Sequence, residues 1–208
     1  MKIADLSSPA PSPESLGPEP HGSEASGDRR SNSIVLIALG SNLPWGELQP
    51  RSILKLALEK LTALGDVEAH SGFWRTQSWP NPEDPPFLNL VVRLRAGVEP
   101  AVLLAAAHEI ETSLGRDRAA NAPKNAPRTL DIDLIDACGR VIASGGSEAG
   151  LILPHPRMHE RAFVLAPLLD VAPGWVHPHI QETAETLFRR LPAAERASIE
   201  RAAPDGAL

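Results

Sequence analysis

Two stretches of the chain open on a proline, carry aliphatic residues three and four apart, and then meet a glycine. The first runs from Pro50 through Ile53, Leu54, Ala57, Leu58, Leu61 and Leu64 to Gly65. The second runs from Pro100 through Leu103, Leu104, Ala107, Ile110 and Leu114 to Gly115. Proline is pre-set for a first helical turn and glycine for a helix exit, so each stretch predicts a helix with one buried face. Around them lie β-branched or alternating runs: SIVLIALGSN from Ser33, VEAHSGFWRT at 67–76, FLNLVVRLRA at 87–96 and TLDIDLIDA at 129–137. These read as strands. The order β-α-β-β-α-β limits the chain to few packings, and points to an α+β domain with a ferredoxin-like core, an antiparallel sheet with helices on one face. Farther on, RVIAS reads as a short strand, LILPHPRMHERAFVLAPLLDVAP as a strand end running into a helix, and ETAETLFRRL as a last amphipathic helix. Extra C-terminal strand and helix elements are therefore expected.

At 208 residues, with 42% hydrophobic and 22% charged side chains, the chain suits one ordinary domain. Its 21 prolines are about twice the usual share. Residues 1–32 hold five prolines, seven serines and three glycines with few large apolar side chains, too little to offset the entropy of ordering, and read as a disordered leader. They lack the apolar core of a secretory signal and carry five acids, unlike a transit peptide. The domain is expected over 33–192 and a frayed tail over 193–208. A net charge of −6 argues against general nucleic-acid binding. No apolar run approaches a membrane span. One cysteine, Cys138, allows neither an internal disulfide nor a thiolate metal cage and suits the cytoplasm. A monomer is the expected state.

The strongest chemical signal is RTLDIDLID at 128–136. In a strand Leu130, Ile132 and Leu134 share one face while Asp131 and Asp133 share the other. Aspartate is disfavoured in strands, and two carboxylates about 6.6 Å apart at the Cα atoms have the spread to hold one or two hard cations, as phosphoryl-transfer sites do. Solvated aspartates on a wet edge are the plainer alternative. Just upstream, Arg116, Arg118, Lys124 and Arg128 face a single acid, Asp117, a cationic segment suited to a polyphosphate. His155 is stiffened between Pro154 and Pro156 with Arg161 nearby, and suits a hydrogen bond to a phosphate oxygen. His177 and His179 lack an evident third ligand. There is no Walker-type phosphate loop, no G-x-G-x-x-G after a strand and no G-x-S-x-G elbow.

LGSN in the first strand, FWRT before a proline-rich loop, FLN, E-x-x-x-G-R-x-R, PRTLDIDLI and LPHPRMHERAFVLAPLLDVAP follow one another over about 34–175. Together they resemble the 6-hydroxymethyl-7,8-dihydropterin pyrophosphokinase family of the folate pathway. The resemblance implies small-molecule substrates, with transfer of the terminal pyrophosphoryl unit of ATP to the pterin hydroxymethyl group, release of AMP, and two Mg2+ ions as cofactor. It implies Asp131 and Asp133 as metal ligands and Arg116 and Arg128 as catalytic arginines at the phosphates. Glu111, Arg118, His155 and Arg161 join those two arginines in ATP binding. Phe87 and Phe163 would sandwich the pterin, with Asn89, Thr76 and Trp79 completing its site. Neither nucleic acid nor membrane is implied. Asn125-Ala126 replaces an aromatic and a small residue common in relatives, Pro156 stands where an aromatic occurs, and Gly150 where some relatives have a base. Too few residues follow the matched region to hold the further folate-pathway enzyme fused in some relatives. Two competing readings are another two-metal nucleotidyl or phosphoryl transferase, and a non-catalytic ferredoxin-like binding module.

Overall fold

The computed structural model describes residues 33–117, 126–143 and 150–203. The expected leader at 1–32 lies outside them. In chain order the elements are β1 (Ser33–Ser41), α1 (Pro50–Leu61), β2 (Asp66–His70), β3 (Trp74–Thr76), β4 (Phe87–Ala96), α2 (Pro100–Ser113), β5 (Asp131–Ala137), a 3-10 turn (Met158–Glu160), α3 (Ala162–Val171), α4 (Ala184–Arg190), α5 (Ala193–Ala197) and β6 (Ile199–Arg201). Both prolines do open helices, with Gln49 and Glu99 as N-caps. Gly115, at φ +83°, follows the α2 C-cap Leu114, whereas α1 is capped at Thr62 and Gly65 lies in the turn beyond it.

The strands form one sheet in the order β5-β1-β4-β3-β6, with β2 also pairing β4. Every pairing is antiparallel. The segment expected as one strand at 67–76 is two, laid end to end along β4. The break has a local cause. Ser71 Oγ takes the Val91 N–H at 3.0 Å while the Ser71 N–H donates to the Val91 carbonyl at 2.9 Å, so a side chain replaces a backbone acceptor and the ladder slips. Of the expected strand RVIAS, the described residues 140–143 form only an isolated bridge, Ile142 to Leu153.

The two core helices, α1 and α2, cover one face, and the C-terminal helices cover the other. Ile53, Leu54 and Leu61 of α1 and Leu103, Ala107 and Ile110 of α2 pack on Val35, Ile37, Leu39, Leu90, Val92 and Leu94. On the opposite face Leu36, Val91 and Ile135 meet Leu165 and Leu168 of α3 and Leu187 of α4. β1 and β4 are therefore buried on both sides, which explains why they read as continuous apolar runs rather than alternating ones. The expected frayed tail at 193–208 is corrected over its described part. α5 and β6 are formed there, and β6 extends the sheet by pairing with β3. The Arg201 guanidinium lies 4.4 Å from the centre of the Trp74 ring and bonds Asp170 of α3 at 2.6 Å, and this ties the last strand down.

Candidate active site

At one end of the sheet the α3 face turns polar. Three strands supply it. Gly40 of β1 sits opposite Asn89 of β4 on one side and opposite Asp131 of β5 on the other. Alternation adds Phe87 two residues before Asn89 and Asp133 two residues after Asp131. Ile132 and Leu134 turn the other way into the α1/α2 core, so the expected division of this strand is observed. A Cβ on Gly40 would lie 3.0 Å from Asn89 Oδ1 and 3.5 Å from the Phe87 ring. The missing side chain leaves an open floor between the amide and the carboxylates. Gly40 is not among the expected site residues, though a glycine inside a strand is the signal for a close approach.

The charged groups interlock. Arg116 Nη1 donates to the Leu130 carbonyl at 2.8 Å, to Glu111 Oε1 at 3.1 Å and to Asp131 Oδ1. Arg128 Nη1 reaches the same Asp131 oxygen at 3.2 Å. Glu111, expected among ATP ligands, is instead wholly buried (0% exposed), and its Oε1 also accepts the Ile132 N–H at 2.8 Å. A carboxylate with no exposed surface touches a ligand only through a neighbour, so Glu111 reaches the site by way of Arg116. From the α3 side, Arg161 Nη1 lies 3.8 Å and His155 Nε2 3.9 Å from Asp133 Oδ2. The Arg161 guanidinium is 5.5 Å from the centre of the Phe163 ring. His155 Nδ1 accepts the Arg157 N–H at 3.2 Å, which leaves the ring proton on Nε2, facing Asp133.

The two aspartates ionise differently. Burial opposes charge on both. At Asp131 the charges of Arg128 and Arg116 outweigh burial and hold the carboxyl below its usual range. At Asp133 burial and the Asp131 charge act together and push the carboxyl up to about 6. His155 is pulled down to about 4 by burial and by Arg161, so its imidazole is neutral at physiological pH. Asp133 still exposes 38% of its side chain, an opening through which a cation or phosphate can reach it. Because its native value lies above the ordinary ~3.9, ionising Asp133 weakens the metal-free fold as pH rises through about 6. His155 has the opposite sign, its contribution being lost as pH falls from about 6.5 toward about 4. Comparing a variant with its parent at each pH removes the histidine. Asp133→Asn is expected to melt above the parent at pH 7.5 without divalent metal and to match it near pH 4. A variant no more stable at pH 7.5 would refute the strain assigned to Asp133.

Of the remaining expected residues, Asn89 is 5% exposed and its Nδ2 donates to Thr76 Oγ1 at 2.9 Å. Phe163 packs at the margin of the α3 core. Trp79 stands on the 77–86 loop, 69% exposed. Arg118 and Asn125 lie outside the described residues. No helix among the described residues is long and apolar enough to cross a membrane.

A carboxylate pair ringed by guanidinium groups, beside an amide and two aromatic rings, has the chemistry of an enzyme that handles a polyphosphate and a flat heterocycle. Comparison with known proteins narrows the class. A family model for 7,8-dihydro-6-hydroxymethylpterin-pyrophosphokinase matches residues 36–173, and the chain belongs to this family. A 2-amino-4-hydroxy-6-hydroxymethyldihydropteridine pyrophosphokinase of Porphyromonas gingivalis is 39% identical over 147 residues, 70% of this chain and 95% of that protein. The enzyme of the same name from Synechocystis is 36% identical over 158 residues, 76% of this chain and 75% of that one. Among solved structures, a Plasmodium falciparum HPPK-DHPS triple mutant superimposes with a TM-score of 0.64 at 15% identity, covering 84% of this chain. This chain spans 48% of that longer protein, and the likeness is one of fold.

Proposed function

We propose that this protein transfers the pyrophosphoryl unit of ATP to the hydroxymethyl group of 6-hydroxymethyl-7,8-dihydropterin, releasing AMP, as a step of folate biosynthesis. The observation that carries the reading is the sharing of one sheet face by Asp131, Asp133, Asn89 and Phe87, with Arg116, Arg128 and Arg161 around the carboxylates. We read the β5-β1-β4 order, with β2 and β3 along the other edge of β4, as a ferredoxin-like core to which the C-terminal elements are added.

Asp131 and Asp133 would hold Mg2+, two ions in all, since paired hard carboxylate oxygens are its preferred protein donors. Among the described residues no group of three or more His, Cys, Asp and Glu side chains is placed to hold a metal ion. That suits a cation that completes its shell with water and phosphate oxygens. When bound, the metal neutralises charge on the phosphates.

The chain's own groups do the aligning. Arg116 and Arg128, which now donate to Asp131, have planar donor forks matched to phosphate oxygens and set the triphosphate in line for attack. Arg161 and the neutral Nε2–H of His155 approach from α3 and steady the same chain of phosphates. Because Asn89 Nδ2 is committed to Thr76, its Oδ1 is left as an acceptor for a pterin N–H. Phe87 and Phe163 stack on the ring faces, and Trp79 adds an aromatic surface from the loop. Sealing this face limits hydrolysis of ATP by water. We place the protein in the cytoplasm as a monomer; its one thiol, Cys138, is exposed and free, which suits a reducing compartment.

The test is an incubation with ATP, Mg2+ and the hydroxymethyl dihydropterin. AMP formed only when pterin is present is the expected result. ADP, inorganic pyrophosphate or no product overturns the reading.

A further inference from the structure

The geometry points to Asn42 as a positioning residue whose single side-chain amide holds two substrate-facing segments in register, the backbone of Arg128 and the 77–86 loop. The inference rests on the proposed function only in taking Arg128 and the residues flanking that loop as substrate-facing.

Asn42 follows directly on β1 and is 2% exposed. Its Oδ1 accepts the Arg128 N–H at 2.7 Å. The backbone N–H groups of Asn42 and Leu43 both donate to the Arg128 carbonyl at 3.1 Å. The main chain of Arg128 is thus gripped on both sides of its Cα, and its guanidinium, 3.2 Å from Asp131, starts from a fixed root. The other end of the same amide faces the opposite way. Asn42 Nδ2 donates to the Pro85 carbonyl at 2.9 Å and to Ser78 Oγ at 3.3 Å, and Ser78 Oγ itself donates to the Pro85 carbonyl. Ser78 lies two residues after Thr76 and Pro85 two residues before Phe87. Both limbs of the loop between those two residues therefore meet at Asn42.

An amide is the side chain that can do this. It presents an acceptor at one end and a donor at the other, and the two ends are used here on main-chain groups that lie 86 and 43 residues away. Aspartate keeps the acceptor for Arg128 but turns an oxygen toward the Pro85 carbonyl. Alanine keeps neither contact. A buried polar group deprived of its partner is costly, so each end of the amide is held to its own partner. Asn42 touches neither the carboxylate pair nor the pterin face. Its effect on the reaction runs through the placement of Arg128 and of Thr76 and Phe87.

Three variants of the full chain separate the two arms: Asn42→Ala, Asn42→Asp and Ser78→Ala. Steady-state kinetics for both substrates is read beside amide hydrogen exchange without substrates. Asn42→Ala is expected to lower kcat on the order of 10²-fold, as small misplacements of catalytic groups do, and to speed exchange across 77–86 and at 128–130 while β1 and β4 stay protected. Asn42→Asp is expected to loosen 77–86 selectively and to raise KM for the pterin more than KM for ATP. Ser78→Ala, which keeps the Asn42 bond to the Pro85 carbonyl and loses the Ser78 one, should do the same more weakly. A merely structural asparagine would lower Tm without splitting the two KM values. Variants with kcat and both KM values within twofold of the parent, or Asn42→Ala exchange that rises in only one segment, overturn the proposal. If Asn42→Ala does not fold, the KM split in Asn42→Asp decides. If the parent makes no AMP, the proposed function fails while the exchange pattern still decides whether Asn42 couples the segments.

Discussion

Asp131→Asn and Asp133→Asn are each expected to reduce AMP formation by at least about 10³-fold, which corresponds to about 4 kcal/mol of barrier, with circular dichroism unchanged. Asparagine keeps the size of each side chain and removes the charge on which cation binding depends. Asp131 is the more informative of the two, because its carboxylate also anchors Arg116 and Arg128. Loss there combines weakened metal binding with loss of the charge that both guanidinium groups share, so its KM for ATP should rise along with the fall in kcat. Among the described residues Asp133 has only the longer approaches of Arg161 and His155, and its loss should fall mainly on kcat. Activity within tenfold of the parent in both variants would remove the carboxylate pair from the chemistry.

Arg116→Met is expected to unfold the protein more easily, by about 3–5 kcal/mol, a fall in Tm on the order of 10 °C for a domain of this size. Arg116 exposes 15% of its side chain and Glu111 none. Removing the cation takes the guanidinium away from a buried carboxylate beneath the site, and breaking one side of a buried pair costs more than replacing both. Adding Glu111→Gln removes that charge while keeping an acceptor for the Ile132 N–H. The double variant is expected to regain most of the stability and none of the activity. Paired melting curves and AMP assays check both statements. An Arg116→Met protein as stable as its parent would mean that Glu111 needs no counter-charge.

How much of this is legible in the chain depends on whether a residue is read by its neighbours in sequence or in space. The Asp131/Asp133 division is legible because strand alternation is local, and the helix starts at Pro50 and Pro100 because proline acts within one turn. The closure of the second sheet face is not. AFVLAPLLDV is apolar on every side, and such a run states that it is buried without stating against what. The last strand, IER, has no apolar pattern and is held by Trp74 and Asp170 from far upstream. Glu111 reads as an ATP ligand until Arg116 and the Ile132 N–H are seen around its buried carboxylate. Asn42 reads only as the end of the first strand, since its partners are separated from it by dozens of positions.

The place of Gly40 has one more consequence. Asn89 and Asp131 flank it on neighbouring strands, so the amide and the carboxylate stand two strand widths apart, about 9–10 Å. That spacing belongs to the hydrogen-bonded lattice of a central sheet, the stiffest part of the molecule. On the proposed function, the sheet would act as a fixed gauge between the pterin amide and the carboxylate that faces the phosphates. Loops at its rim can open for entry and exit without resetting the distance over which the group must travel.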